Sequence, residues 1–256
     1  MSEPLVSVLT PAFKAERFLE AAVRSVLDQT FTNWELLIIN DGSTDETGKI
    51  ADSLAATDQR IRVIHRNGSS GRPAVPRNLA LEQSKGRYIA LLDADDLWHP
   101  QKLEKQIAFM QSAGARFSCT AYRRITEDGQ LLSLIEVPLK ATRGRILANN
   151  TVGCLTVMIE KDLLTQFGFD EEPSLKGRED YGLWLQILKQ EKYVFGLNEE
   201  LAQYRVVSGS ISRNKKAMIV GQWRVYRKSA GLGVFRSLLC MVGWAWFGYL
   251  RNRDSL

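Results

Sequence analysis

The sequence predicts an α/β fold in which a mostly parallel, doubly wound sheet is covered by helices on both faces. Short apolar runs alternate with amphipathic segments along roughly the first hundred residues, and this alternation is typical of βαβ units. The apolar runs are nearly continuous, as expected of strands that are buried on both faces of a parallel sheet. A chain of 256 residues is long enough for one large domain of this class or two small ones.

Four strands and three helices are predicted in this first part of the chain. Each predicted strand is an apolar run, and each predicted helix has apolar residues every three or four positions and one polar face. The strands lie within 5–11, 36–39, 61–67 and 88–96, and the helices lie within 16–30, 47–56 and 77–85. The segment from Gly68 to Pro76 is predicted to be a loop.

After Trp98 the regular alternation stops. A helix is predicted from Pro100, because proline suits the first turn of a helix, and a hairpin is predicted around a turn at 127–130. The predicted elements are a helix at 100–114, hairpin strands at 115–125 and 131–138, a strand leading into a helix within 149–164, a helix at 178–190, and a strand followed by a Ser/Gly loop within 199–212.

The charge of the chain is unevenly distributed. The formal net charge is +5, but the residues from Arg213 onward include nine Lys or Arg and a single acid, Asp254. The apolar and charged fractions, 45% and 25%, are ordinary for a soluble globular protein. The three cysteines lack the spacing of a disulfide framework or a zinc site, and the N-terminal segment lacks the basic start and long apolar core of a secretory signal. A cytoplasmic protein is therefore expected.

Three of the predicted strands are followed by polar or turn-forming residues. These are the segments Pro11-Ala12-Phe13, Asp41-Gly42-Ser43 and Asp93-Ala94-Asp95. In open parallel sheets, ligands bind outside the carboxyl ends of the strands, so we expect these segments to meet at one site. The alternative is that such residues cap the next helix. A capping role would explain Ser43 or Asp45. It would explain at most one of the three carboxylates at 93–96.

The acidic cluster Asp93, Asp95 and Asp96 needs a positive partner. Neighbouring carboxylates repel one another, and burial raises the cost of ionising each of them. The partner is a Lys or Arg, a helix N-terminus or a metal ion. Mg²⁺ and similar hard cations are usually held by one or two carboxylates together with substrate phosphates. An Asp-x-Asp pair at a strand end therefore indicates a metal ion bridged to a diphosphate.

Three segments carry a resemblance to a known family: VSVLTPAFKAERFLEAAVRSVLDQTFTNWELLIINDGSTDET, RPAVPRNLALEQSKGRYIALLDADDLWHPQKLEKQ and GREDYGLWLQIL. In their order and spacing they resemble the inverting family 2 glycosyltransferases of the GT-A fold, over most of residues 5–212. The segments YRVVSGSISRNK and QWRVYRKSAGLGVFRSL are similar to bacterial members that build cell-surface or teichuronic-type polysaccharides. The resemblance implies a catalytic domain at 1–212, with a nucleotide-sugar-binding half at 1–100 and an acceptor-binding half at 101–212.

The resemblance implies a nucleotide-sugar site in the first half of the chain. By position, Pro11, Ala12 and Phe13 would line the base and ribose, and Asp41 would hydrogen-bond uracil. The other residues that match the family's nucleotide-contacting positions are Asn67, Arg77, Asp93, Ala94 and Asp95. Among these, Asp93 and Asp95 would hold Mn²⁺ or Mg²⁺, with Asp95 the more direct ligand.

The resemblance also implies a catalytic base and a closing loop in the second half. Asp180 matches the base that takes the proton of the acceptor hydroxyl; the alternatives are that Asp180 only caps the helix it opens, or that Glu179 is the base. Arg205, with Ser210 and Ser212, is expected to form a loop that closes over the diphosphate, and the alternative is a solvated turn.

The implied function is inverting, metal-dependent transfer of a sugar, from a UDP-sugar by resemblance, to a glycan or a polyprenyl-diphosphate-linked saccharide. One alternative is a sugar-1-phosphate nucleotidyltransferase, but TPAFKAERF after the first strand lacks the glycine-rich loop expected of that class. A second alternative is a sugar-nucleotide-binding partner without catalytic activity. The intact acids Asp93, Asp95 and Asp180 argue against it.

The tail at 213–256 is basic, aromatic and amphipathic. Its charge-free part, residues 237–250, would be about 21 Å long as a helix, which is shorter than the approximately 30 Å hydrocarbon core of a bilayer. We therefore expect residues 232–253 to lie at the inner face of the cell membrane as an interfacial helix. The alternatives are a helix packed on the body of the protein or a homo-oligomer contact. Nucleic-acid binding is not expected, because the aromatic residues form an apolar block.

Overall fold

The apolar runs of the sequence form the strands of one ten-stranded sheet in the computed structural model. The structure describes residues 5–207 and 215–253, with side chains described for 5–207 and 218–247. The strand order is β3-β2-β1-β4-β9-β6-β10-β5, with β7 paired to β6 and β8 paired to β10. The strands are β1 Val6–Ala12, β2 Trp34–Asn40, β3 Ile61–His65, β4 Tyr88–Leu91, β5 Leu97–Trp98, β6 Phe117–Ile125, β7 Leu131–Ile135, β8 Lys140–Ala141, β9 Met158–Glu160 and β10 Val194–Arg205.

Helices cover both faces of this sheet. They are α1 Leu19–Leu27, α2 Thr47–Thr57, α3 Ala74–Gln83, α4 Lys102–Ala113, α5 Arg143–Ala148, α6 Lys161–Thr165, α7 Glu179–Ile187, α8 Lys215–Arg224 and α9 Val234–Arg253, with short 3₁₀ turns at Cys154–Thr156 and Pro173–Leu175 and a π-helical turn at Val225–Ser229. The predicted α/β class is thereby confirmed, with the α9 helix as the expected C-terminal extension.

The first four strands, β1 to β4, are mutually parallel. Along β2 the side chains alternate between two core clusters: Leu36 and Ile38 face one side of the sheet, and Leu37 and Ile39 face the other. All four are fully buried. This double burial is the physical reason for the continuous apolar run in the sequence, since both faces of each strand must be apolar.

The second half of the chain extends the same sheet. The antiparallel strand β9 lies between β4 and β6, and β6 pairs in parallel with β10 and antiparallel with β7 as the predicted hairpin. The helix α5 was not predicted, and β10 begins earlier than expected. Register shifts between Leu197 and Ala202 interrupt the regular alternation of β10, which explains why its first part was not identified from the pattern.

The tail helix α9 packs on the body with one of its faces. Cys240 and Met241 contact the larger core cluster, and the Cα of Gly243 passes close to Ala148 of α5. Its other face exposes a row of large apolar residues: Phe235, Leu238, Leu239, Val242 and Trp246. No helix in the described ranges is both long enough and apolar enough to cross a membrane.

Candidate functional site

The carboxyl ends of β1, β2 and β4 open onto one cleft with a volume of about 440 Å³. This size is within the usual range for a small-molecule site. Of the nine residues predicted to bind the nucleotide-sugar, the eight that line the cleft are Pro11, Ala12, Phe13, Asp41, Arg77, Asp93, Ala94 and Asp95. The ninth, Asn67, is exposed and lies outside the lining, whereas its neighbour Arg66 forms an ion pair with Asp41.

The end of β1 is held in place by the start of α2. The main-chain N–H of Lys14 donates to Ser43 Oγ at 3.1 Å, and that of Ala15 donates to Thr47 Oγ1 at 2.8 Å. Asp45 accepts hydrogen bonds from the amide and hydroxyl of Thr47, so it has a local role at the helix start, as the capping alternative expected. These contacts fix the turn after β1, where Phe13 is exposed in the cleft wall.

Asp41 is a buried carboxylate that organises the loop after β3. Its Oδ2 accepts hydrogen bonds from the hydroxyl of Ser69 at 3.1 Å and from the amide and hydroxyl of Ser70 at 2.9 and 2.7 Å. Its Oδ1 accepts a hydrogen bond from Arg66. Since a carboxylate oxygen has two lone-pair sites, Oδ1 keeps the capacity to accept one more hydrogen bond from a ligand in the cleft.

Gly42 allows the ends of two neighbouring strands to approach this closely. Its φ of +68° lies in the left-handed region that favours glycine. A Cβ at this position would lie 2.4 Å from the carbonyl carbon of Gly68, well inside van der Waals contact. Glycine is therefore required at position 42 for steric reasons, and the preceding Asp41 supplies the hydrogen bonds to the same loop.

Arg77 lies at the centre of the acidic side of the cleft. The helix α3 begins at Ala74, three residues before its predicted start, and so buries Arg77 in its first turn. The guanidinium forms an ion pair with Asp93. Burial alone would lower the pKa of Arg77, but the neighbouring Asp93, Cys154 and Asp180 raise it above its ordinary value. Arg77 is therefore the positive partner that the acidic cluster requires.

The three acids at the end of β4 have different environments. β4 ends at Leu91, and residues 93–96 form a turn. Asp96 is buried, and its Oδ1 accepts the main-chain N–H of Arg205 at 2.8 Å. Asp95 is half-buried, and burial, with a contribution from Asp93, raises its pKa to about 6. Asp96 thus supports the turn, whereas Asp95 lines the cleft.

The chemistry of this turn fits a divalent cation that is shared with a ligand. Within the described part of the chain, the carboxylate of Asp95 has no hydrogen bond to another residue, and burial together with the neighbouring Asp93 raises its pKa. No group of three or more His, Cys, Asp or Glu side chains is gathered for a metal in that part. Asp93 and Asp95 would therefore hold a hard cation only together with oxygens from a ligand or water, as Mg²⁺ is usually held.

Arg205 does not line the cleft but lies against the acidic turn. Its Nε donates to the carbonyl oxygen of Asp95 at 2.9 Å, and its Nη1 donates to that of Glu127 at 2.7 Å. The guanidinium thus connects the turn to the β6–β7 hairpin, instead of extending over a bound diphosphate as predicted. Ser210 and Ser212, predicted for the same loop, lie outside the described residues.

Asp180 lies on the first turn of α7 and interacts electrostatically with Arg77. It is half-buried and does not line the cleft. Burial raises its pKa, and nearby Arg77 opposes the rise. The residue at the N-cap position is Arg178, but Oδ1 of Asp180 accepts the main-chain N–H of Tyr181 at 2.7 Å, so Asp180 binds an amide of the first helical turn, as the capping alternative expected, and its role as base stays a prediction. Glu179, the other candidate base, is almost fully buried, and burial raises its pKa.

Several lining residues were not predicted from the sequence. They are Lys14, Ala15, Phe18, Ser69, Gly71, Arg72, Pro73, Pro76, Lys176, Tyr204 and Val207. The glycines and serines at 68–71 could have been found as a turn next to a strand end. Lys176 and Tyr204 reach the cleft from distant parts of the chain, and no local pattern marks them.

Comparisons with known proteins show which family this chain resembles. The family model described as Glycosyl transferase family 2 matches residues 7–159. TuaG of Bacillus subtilis (strain 168), named as a teichuronic acid biosynthesis glycosyltransferase, is 42% identical over 244 residues, which cover 95% of each chain. WfgD of Escherichia coli, a UDP-Glc:alpha-D-GlcNAc-diphosphoundecaprenol beta-1,3-glucosyltransferase, is 37% identical over 88% of this chain and 86% of its own.

Solved structures with the same fold include glycosyltransferases with bound nucleotides. S. aureus TarS in complex with UDP-GlcNAc matches with a TM-score of 0.73 at 19% identity, over 94% of this chain and 71% of that one. The mannosyltransferase PcManGT from Pyrobaculum calidifontis, in complex with GDP-Man and Mn²⁺, matches with a TM-score of 0.71 at 16% identity, over 91% and 66%. At these identities the likeness concerns the fold.

Proposed function

This chain belongs to glycosyl transferase family 2, and we propose that it transfers a sugar from a UDP-sugar to an acceptor hydroxyl with inversion at the anomeric carbon. It is a glycosyltransferase that uses a nucleotide-sugar in the synthesis of cell-surface polysaccharide. The observation that carries the finer proposal is one cluster of charges. Asp41 and the Asp93–Asp95 turn line one cleft, and Arg77 forms an ion pair with Asp93 and interacts electrostatically with Asp180.

The uridine preference is supported by Asp41. The free capacity of its Oδ1, described above, suits the N3–H of uracil, which donates a hydrogen bond. The relative WfgD is named for UDP-Glc, and TarS is solved with UDP-GlcNAc. Phe13, exposed in the cleft wall, offers an apolar surface to the base.

We assign the cation to Asp95 and Asp93, and PcManGT provides a structural relative with Mn²⁺. A divalent cation bound there would neutralise the negative charge that develops on the departing diphosphate. Arg77 compensates the charge of Asp93 on the protein side, whereas Asp95 lines the cleft without an ion pair in the described part of the chain.

Asp180 is the proposed general base. Its carboxylate takes the proton of the acceptor hydroxyl while that oxygen attacks the anomeric carbon from the face opposite to the diphosphate. The new C–O bond forms as the bond from the anomeric carbon to the diphosphate oxygen breaks, and UDP leaves with the electron pair. One displacement inverts the configuration, and no enzyme nucleophile is needed. Arg77 favours the ionised form of Asp180 against the effect of burial.

The proposed acceptor is a saccharide linked to a lipid diphosphate, because the name of WfgD describes such an acceptor. The tail at 232–253 would bring the enzyme to that lipid. We propose peripheral contact with the inner face of the cell membrane through the exposed apolar row of α9.

A transfer assay tests this function. Purified protein is incubated with a panel of UDP-sugars, Mn²⁺ and a lipid-diphosphate-linked N-acetylglucosamine, and products are identified by mass spectrometry. Asp180→Asn should reduce turnover by about 10²-fold or more, since general base catalysis contributes about 10²–10⁴, and should retain stabilisation by UDP and Mn²⁺. Asp95→Asn should lose the Mn²⁺-dependent stabilisation.

Two results would count against the proposal. Near-normal turnover by Asp180→Asn would remove Asp180 as the base. Formation of a UDP-sugar and pyrophosphate from UTP and a sugar 1-phosphate would instead favour the nucleotidyltransferase alternative.

A further inference from the structure

The guanidinium of Arg205 is bound by main-chain carbonyl oxygens from two turns. Arg205 is only 7% exposed. Its Nε donates to the carbonyl oxygen of Asp95 at 2.9 Å, and its Nη1 donates to that of Glu127 at 2.7 Å. Within the described ranges, no carboxylate forms an ion pair with this guanidinium, whereas the buried Arg77 pairs with Asp93. Since buried charges are usually paired with an opposite charge, these partners indicate that Arg205 serves to hold the main chain of the two turns.

The peptide group between Asp95 and Asp96 is held at both of its polar atoms. Its carbonyl oxygen accepts from Nε of Arg205, and its N–H donates to the carbonyl oxygen of Asp93 at 3.1 Å. The main-chain N–H of Arg205 also donates to Oδ1 of Asp96 at 2.8 Å. A fixed peptide plane fixes one of the two soft dihedral angles of Asp95, and the backbone angles restrict the rotamers of the side chain. Arg205 thus orients Asp95 through the main chain.

The ring of Phe18, just before α1, is a further partner of the guanidinium. Cζ of Arg205 lies 4.9 Å from the centroid of this ring, and Cζ of Arg17 lies 4.8 Å from the same centroid. Arg17 in turn pairs with Glu127 at 3.0 Å. A cation over an aromatic face is attracted by the ring, and more strongly where water is excluded. Because Phe18 lines the cleft, this contact connects the guanidinium to the cleft wall.

We propose that Arg205 is a positioning residue for the divalent cation: it holds the peptide group after Asp95 so that the Asp95 carboxylate faces the cleft, and the Phe18 ring keeps the guanidinium in place. This inference rests on the proposed function, which assigns the cation to Asp95 and Asp93. In the described structure the Asp95 carboxylate has no hydrogen bond of its own, so its direction depends on the main chain. Replacing a residue that holds a metal ligand typically costs about 10–100-fold in metal affinity.

The coupling between UDP and Mn²⁺ binding tests the proposal without any sugar transfer. Calorimetry measures the Kd for UDP with EDTA and with saturating Mn²⁺, and the ratio of the two values gives the enhancement by the cation. Arg205→Met removes the side-chain hydrogen bonds to both turns, so it should lower this ratio by about tenfold or more. The Kd with EDTA should stay unchanged, because Asp41 is untouched. Arg205→Lys, which keeps the charge and one donor group, should recover part of the ratio.

A double-mutant cycle tests the aromatic contact. Phe18→Leu keeps an apolar side chain but removes the aromatic face, so in the wild-type background it should lower the enhancement ratio by about threefold. In the Arg205→Met background the same substitution should cause no further loss, because the guanidinium is absent. Two residues that act through one contact show this non-additivity, whereas two independent losses of stability add. Equal effects in both backgrounds would show that Phe18 does not act through Arg205.

Arg123 on β6 provides a matched control, because it also connects β10 to the β6–β7 hairpin. Its Nε and Nη2 donate to the carboxylate of Glu200, and its Nη1 donates to the carbonyl oxygen of Leu132 at 3.2 Å. In the described structure its side chain makes no hydrogen bond to the turn at 93–96. Arg123→Met should therefore lower the Tm without changing the enhancement ratio. An equal fall of the ratio in Arg123→Met and Arg205→Met would indicate a general effect of the hairpin and overturn the proposal.

The outcomes keep this proposal separable from the proposed function. If Mn²⁺ strengthens UDP binding to the wild type but no sugar is transferred, the proposed function fails, and the variants still decide the role of Arg205. If the wild type transfers sugar and folded Arg205→Met keeps the full ratio, the function stands and Arg205 has no positioning role. If Mn²⁺ does not strengthen UDP binding to the wild type, the cation assignment and this inference fail together. If Arg205→Met does not fold, Arg205→Lys and Phe18→Leu decide the proposal by the same ratio.

Discussion

Arg77 is the residue that allows several carboxylates to lie close together at this site. It forms an ion pair with Asp93 and lowers the electrostatic cost of ionising Asp180. A buried ion pair that loses one partner is strongly destabilised, so replacing Arg77 would disturb both folding and charge. For this reason the conservative changes at Asp95 and Asp180 are better probes of function than changes at Arg77.

Lys102 is a buried lysine that does not line the cleft. It is fully buried on α4, where its Nζ donates to Oε1 of Gln106 at 2.7 Å and lies 4.2 Å from the ring centroid of Trp98. Burial lowers its pKa from 10.5 to about 7. Between these two pH values the unfolded chain binds more protons than the folded one, so stability rises with pH.

We expect Lys102→Met to remove this pH dependence. In the wild type, deprotonation of Lys102 should increase the free energy of unfolding by about 2 kcal/mol between pH 7 and pH 9. Below pH 7 the buried ammonium stays charged and destabilises the folded state fully. Met has no titrating group, so the Lys102→Met variant should lack this increase, whether the variant is more or less stable than the wild type. Urea unfolding at both pH values measures it, with the partly exposed Lys105→Met on the same helix as the control. Equal pH increments in wild type and Lys102→Met would show that Lys102 is not the cause.

At the scale of elements, α9 has two different faces. Cys240 and Met241 pack on the body, while the exposed row at 235, 238, 239, 242 and 246 follows the spacing of one helical stripe. Residues 213–253 contain nine Lys or Arg and no acid. An apolar stripe in a basic segment complements an anionic lipid surface, where each basic residue contributes about 1 kcal/mol. The face that packs on the body agrees with the alternative of a packed helix, whereas contact of the exposed face with a membrane stays a prediction.

The double variant Leu239→Glu/Val242→Glu should abolish lipid binding. Both side chains are more than half exposed, so the variant should fold normally, while burying two carboxylates in a bilayer interface is unfavourable. Sedimentation with phosphatidylglycerol vesicles should show at least about tenfold weaker binding, and neutral phosphatidylcholine vesicles should bind the wild type weakly.

Leu131→Glu is the control for this experiment. Leu131 is 64% exposed on β7, so the variant adds a charge at an exposed leucine outside the tail. Equal loss of binding in the control would exclude a specific role of α9. Light scattering on the wild type tests the oligomer alternative, which would be favoured by a dimer that the double variant dissociates.

At the scale of the whole molecule, one sheet joins the two predicted halves. β9 hydrogen-bonds with both β4 and β6, and β5 leaves the first half to pair with β10. Side chains add to this connection, because Arg205 on β10 binds both the acidic turn and the hairpin. The predicted boundary at residue 100 divides a nucleotide-sugar-binding half from an acceptor-binding half. In the structure both halves belong to one sheet.

We therefore expect a single cooperative unfolding transition. Calorimetry should show one peak, and UDP with Mn²⁺ at about 100 times Kd should stabilise the folded state by about 2.7 kcal/mol. For a chain of this size this corresponds to a rise in Tm of about 5–10 °C. Two peaks, of which only one shifts with ligand, would contradict the prediction and indicate independently folding halves.

The sequence was most informative where structure follows from local pattern. The βα units of the first half and the strand ends at Asp41 and Asp93 were predicted because continuous apolar runs and turn residues mark them directly. The second half was harder, since β5 and β8 have two residues each and leave no periodic signal. Arg205 was expected to cover a diphosphate, but its contacts depend on the turn at Asp95, which only the folded chain brings near it.

The acidic turn at 93–96 is fastened at both of its ends, by β4 pairing with β1 and by β5 pairing with β10. A segment held in this way loses little conformational entropy on binding, which makes it a preorganised element. Differences in donor preference among engineered variants should then originate in the side chains of the other cleft walls, at residues 66–73 and at Tyr204 and Val207. Directed evolution toward a new sugar should randomise those walls and leave the turn unchanged.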